Sequence, residues 1–180
     1  MEGVSLASTK NVVSELKSLC NISLMRNDGS VPDALKHLFH NFEAICQVRH
    51  CGIHRFGKLG SQQALWLGMA RHKPLLEKPL ALTVKHLQDI AEALEALIYA
   101  VNSHCFADIL KKTYIAGPTG RDKKLYETAW EFDWAVDEKR FNVYYDIFAS
   151  LGGSQPSATA KQLYDAFMAF VKVYDTAEKK

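Results

Sequence analysis

Residues 83–112 read TVKHLQDIAEALEALIYAVNSHCFADILKK. Leu87, Ile90, Ala91, Leu94, Leu97, Ile98 and Val101 recur at three- and four-residue spacing, which places them on one face of a helix. Thr83 is placed to cap it, and the stretch is the longest helical pattern in the chain. Downstream, Gly117-Pro118-Thr119-Gly120 marks the clearest internal boundary. Two further helical patterns follow, near 136–150 and 157–176, each rich in Phe and Tyr and separated by Gly152-Gly153-Ser154. Upstream, Pro74 and Pro79 bracket a connection, and residues 62–69 read equally as a helical turn or a strand. A helix is expected from Pro32-Asp33, with Leu35, Leu38, Phe39, Phe42, Ile45, Cys46 and Val48 along its apolar side. Asn27-Asp28-Gly29-Ser30 separates it from a first helix, capped by Ser8 or Thr9 and carrying Val12, Val13, Leu16 and Leu19. The expected fold is all-α: a helical bundle over residues 1–112 and a helical C-terminal extension over 113–180.

The composition is that of a globular chain. Of 180 residues, 48% are hydrophobic and 23% charged, enough apolar surface to exclude disorder over most of the length. Lys and Arg number 22 against 20 Asp and Glu, so bulk charge does not announce a polyanion binder, and any such ligand must use a local patch. No run of eighteen apolar residues exists to span a membrane. The opening residues MEGVSLASTK lack the basic start and apolar core of a secretory signal. Four cysteines are too few for a disulfide scaffold, and the expectation is a cytoplasmic protein with reduced thiols.

The chemistry-bearing window is 46–58, Cys-Gln-Val-Arg-His-Cys-Gly-Ile-His-Arg-Phe-Gly-Lys. It sets three cations, Arg49, Arg55 and Lys58, beside two imidazoles, His50 and His54, at the end of an apolar helix. On a continuous helix Arg49 and His54 lie about 7.5 Å apart along the axis and roughly 140° apart around it. A long Arg curls across such an angle, so both heads can reach one phosphate. RNA cleavage needs those groups. The 2′-hydroxyl is a built-in nucleophile that requires a base, the leaving oxygen requires an acid, and the developing charge requires cations. Histidine suits acid–base work near neutrality, and arginine's planar fork matches phosphate oxygens. Gly52 and Gly57 leave room for close approach to the backbone.

The window Arg49-His50-Cys51-Gly52-Ile53-His54 resembles the Arg-polar-x3-His motif of the HEPN superfamily, the higher-eukaryote and prokaryote nucleotide-binding domains. In that family the motif follows an amphipathic helix, and the long helix at 83–112 sits where the family places its closing helix. The resemblance covers about residues 31–112. It implies a HEPN-like bundle that forms a homodimer, with two copies of the motif facing across the two-fold axis. It also implies a metal-independent endoribonuclease of a toxin–antitoxin or anti-phage system, with RNA as substrate, an antitoxin or defence protein as partner and no cofactor. Carried over, Arg49 and His54 are catalytic and His50 holds the auxiliary polar position. Arg55 and Lys58 would bind RNA.

Other readings compete for the same residues. Helix-terminal Arg and His also interact favourably with the last carbonyls of their own helix. Cys46, His50 and His54 fall at helical spacing for a zinc site, but no second ligand pair is spaced to complete it, and no metal is expected. Lys111, Lys112, Arg121, Lys123 and Lys124 form either an RNA-binding surface or a solvated charge cluster. The glycine-containing stretch at 117–124 fails Walker spacing. Trp130, Phe132, Trp134, Phe141, Tyr144, Tyr145 and Phe148 read as packing residues, with base stacking as the alternative. A non-catalytic helical module for dimerisation and protein interaction is the alternative function.

Overall fold

The computed structural model describes residues 8–26, 28–114, 130–149 and 158–178. The regular elements among these residues are helices, so the fold is all-α. They run α1 (Thr9–Cys20), α2 (Asp33–His54), α3 (Ser61–His72), a 3-10 turn (Lys73–Leu75), α4 (Val84–Tyr114), α5 (Trp134–Ala149) and α6 (Ala160–Glu178). Internal contacts divide the chain into two compact units, Met1–Val101 and Asn102–Lys180. The division falls inside α4, whereas the sequence reading set it near the end of that helix.

Side-chain caps account for several helix starts. Ser8 holds an extended backbone, and its hydroxyl accepts from the Asn11 N–H at 3.2 Å, opening α1. The helix ends at Asn21, whose φ of 53° is left-handed, a conformation Asn tolerates better than most residues. Pro32 precedes α2 with φ −54°, and its carbonyl accepts from Leu35 and Lys36. At the head of α4, Thr83 Oγ1 accepts from the His86 N–H while His86 Nδ1 accepts from the Thr83 N–H, a reciprocal cap with His in the usual Glu position. Thr159 and Gln162 make the same exchange before α6.

The ambiguous stretch at 62–69 is helical. It belongs to α3, and the ambiguity has a cause: Leu65 and Trp66 are exposed, so no apolar stripe forms. Gly68 takes φ 106° and ψ 95°, which breaks the helical run.

In the first unit α1 packs on α2 and α2 on α3. In the second, α5 packs on α6, and Phe106, Leu110, Trp130, Phe141, Tyr164, Phe167 and Val171 form the buried core. The aromatics read as packing residues do pack here, except Phe132, which stays half exposed. Trp130 Nε1 donates to Thr113 Oγ1 at 3.0 Å, and that hydroxyl donates to the Leu110 carbonyl at 2.6 Å, so the buried indole N–H is satisfied. Asp137 is fully buried. It accepts from the backbone N–H groups of Glu131 and Phe132, at 3.1 and 3.0 Å, and from the Tyr164 hydroxyl. Those bonds hold Phe132 at φ 61°, a left-handed conformation costly for an aromatic residue.

The boundary at Gly117–Gly120, the Gly152-Gly153-Ser154 separator, Asn27, and Arg121, Lys123 and Lys124 lie outside the described residues. Of the remaining basic pair, Lys112 is ion-paired with Asp108 at 2.7 Å.

Candidate functional site

The window 46–58 straddles the end of α2. The helix stays continuous through His54, then Arg55 turns out at φ −129°, and Phe56 and Gly57 follow at φ 53° and 79°. The Arg55 and Gly57 N–H groups both donate to the Cys51 carbonyl, which closes the end. Cys51 is itself buried with Leu59 and Ala64, so the helix tip is anchored from its apolar side. The chain then forms a short antiparallel clip. Leu59 donates to the Lys78 carbonyl, Glu77 to the Leu59 carbonyl and Leu80 to the Gly57 carbonyl, at 3.1, 3.0 and 2.7 Å. Lys58 pairs with Pro79 across it. The clip returns residues 77–80 beneath the end of α2.

Helical continuity decides which groups meet. His50 and His54 stand one turn apart on one face, with ring centres 4.8 Å apart and planes tilted by 47°. Both are exposed. Neither ring makes a hydrogen bond or ion pair among the described residues. Arg49 is exposed, with no hydrogen bond, ion pair or ring contact to either imidazole. Five residues of continuous helix keep it roughly 140° from His54. Lys58 is exposed.

Arg55 is differently placed. Its Nη2 donates to Glu77 Oε1, and its side chain crosses the backbone of Gly60. A Cβ added at Gly60 would lie 2.6 Å from Arg55 Nε and 2.8 Å from Cδ. The pair ties the tip of α2 to the far side of the clip. Sequence reading did not find Glu77, because only the clip brings it back across 22 residues.

Cys46 lies one turn before His50 and is buried. Burial, with Glu43 nearby, pushes its thiol above the ordinary cysteine range despite the opposing effect of Arg49. It is therefore a neutral core thiol at neutral pH, poorly suited to ligation or attack. Among the described residues no three of His, Cys, Asp and Glu converge on a point where a metal would sit.

A concavity of about 640 Å³ lies along the first half of α2. Lys36, His37, Phe39, His40, Glu43 and Trp66 line it, and the His40 and Trp66 rings stack at 5.3 Å. Glu43 closes one end by accepting from the backbone N–H and hydroxyl of Thr9, at 3.1 and 3.0 Å. The sequence reading did not single it out; its one signal is the i, i+3 pair His37 and His40.

No helix of the described residues is long and apolar enough to cross a membrane. No protein-family model, curated protein or solved structure matches the chain.

Proposed function

We propose that the end of α2 is the active site of a HEPN-type endoribonuclease acting as a homodimer, without a resident metal. The observation that carries this reading is the exposed His50–His54 pair, two imidazoles 4.8 Å apart with no hydrogen-bond or ion-pair partner among the described residues. One neutral imidazole takes the proton of the RNA 2′-hydroxyl as its oxygen attacks phosphorus. The second, protonated, delivers a proton to the departing 5′-oxygen. The products are a 2′,3′-cyclic phosphate and a 5′-hydroxyl. Arg49 holds the phosphate oxygens as negative charge builds on them. Because Arg49 and His54 project from different sides of α2, the proposed dimer supplies the guanidinium from the partner subunit. Lys58 steers the RNA backbone. Arg55 acts one step back, holding the loop that carries Lys58. The role as a cytoplasmic toxin or anti-phage effector, held by an antitoxin or defence partner, rests on the resemblance of the motif alone.

The test is cleavage of end-labelled single-stranded RNA in EDTA by the parent protein and by Arg49→Ala and His54→Ala. The parent yields cyclic-phosphate ends and spares DNA of the same sequence. Each variant loses about 10²–10⁴ in rate. Cleavage that survives in both variants, or equal cutting of DNA, sinks the reading.

One observation favours the alternative, a non-catalytic interaction module. Phe56 stands 95% exposed at the same helix tip, with Ile53 also exposed. A bulky aromatic in a left-handed conformation and open to water is costly unless something covers it. Under that reading Phe56→Ser abolishes self-association, while His54→Ala has no phenotype.

A further inference from the structure

From the same helix end we infer a second property, which stands whether or not the chain cleaves RNA: His50 and His54 form a bidentate site for a borderline transition-metal cation of the Zn²⁺ class. Two histidines four residues apart on one helical face are a chelating arrangement, because one turn of helix sets both rings over the same point. The separation fits. Imidazole nitrogens bind zinc at about 2.0–2.1 Å, and at ligand angles between square and tetrahedral this puts the ring centres roughly 4.5–5.2 Å apart. The observed separation is 4.8 Å.

Availability also fits. Both rings are exposed, and neither is committed to a hydrogen bond or ion pair among the described residues. Of the flanking cations, Arg55 is held by Glu77, and Arg49 projects from a different side of α2. The helix C-terminus adds its negative dipole end in the same place. Buried Cys46 stays outside the ligand set, and no third His, Cys, Asp or Glu joins it among the described residues. Water therefore fills the remaining positions, which makes the ion exchangeable, as at an open site.

The test is calorimetric titration of ZnCl₂ into tag-free, chelator-treated, full-length protein. One equivalent binds. His50→Gln and His54→Gln each weaken it at least about tenfold, and the double variant abolishes it. His37→Gln, at the separate concavity on α2, and Cys20→Ser, which removes the exposed thiol, leave it unchanged. Both target histidines are exposed, so the variants stay folded, and circular dichroism checks this directly. Absence of binding by the parent overturns the inference. So does zinc retained by the double variant or lost in Cys20→Ser, since either assigns the ion elsewhere. The readout is binding in the absence of RNA, so its failure is distinct from failure of the cleavage reading.

Discussion

The Tyr164 hydroxyl donates to Asp137 Oδ2 at 2.7 Å inside the core of the second unit, joining α6 to α5 through two buried polar groups. Burial first, and then the bond to Asp137, hold the phenol well above the ordinary tyrosine range. A group whose folded pKa lies above its unfolded value binds its proton more tightly when folded. Its contribution to stability is therefore complete below about pH 10, the unfolded value, and is lost as pH rises beyond that. Urea midpoints measured between pH 8 and pH 11 will fall steeply at the alkaline end. Tyr164→Phe will lose about 1–2 kcal/mol at pH 8 and show a shallower alkaline fall. An unchanged alkaline slope in Tyr164→Phe would assign the effect to another group.

Gly60 supports the side chain of Arg55. Its φ is ordinary, so space rather than backbone strain fixes the residue. Gly60→Ala drives a methyl into Arg55 Nε and Gln63 Oε1 and should cost about 1–3 kcal/mol. Glu77→Gln removes only a partly exposed ion pair and should cost under about 1 kcal/mol. Thermal denaturation of the two variants gives the order. The reverse order would show that the ion pair, not the packing over Gly60, holds the tip of α2.

If Arg49 acts across the proposed dimer, inactive copies will complement. Equal amounts of Arg49→Ala and His54→Ala protein, unfolded and refolded together, will regain roughly a quarter of parental cleavage, because half the dimers carry one intact composite site. Refolded separately, each stays inactive. A mixture as inactive as its components would place Arg49 and His54 in the same subunit's site.

Zinc and RNA chemistry need the same two imidazoles. Cleavage measured in chelator-free buffer will fall at least about tenfold once Zn²⁺ saturates the pair, and excess EDTA will restore it. Mg²⁺, a hard cation that prefers oxygen ligands, will not inhibit at the same concentration. Undiminished cleavage with zinc bound would separate the two roles.

Much of the fold was legible because long helices repeat their apolar pattern. The starts of α2 and α4 follow from Pro32-Asp33 and Thr83, and Phe141 with Phe148 mark α5 as a packing element. Residues 62–69 were not legible, since Gly68 interrupts the period and Trp66 stacks on His40 rather than entering a stripe. At the candidate site, the spacing of His50 and His54 on one turn could be read directly, given a helix that continues through both. The engagement of Arg55 could not. Its partner Glu77 is placed by backbone bonds between 57–59 and 77–80, a pairing with no local composition signal. The concavity on α2 was equally invisible, because Trp66 reaches it only after α3 folds back.

The clip between Gly57 and Leu80 has a consequence for how this region breathes. Three amide bonds, at Leu59, Glu77 and Leu80, join the same two short stretches, 57–59 and 77–80. Their amide protons should exchange with deuterium at a common free energy of opening, as a single cooperative unit, while the neighbouring Lys58 and Pro79 side chains stay wet.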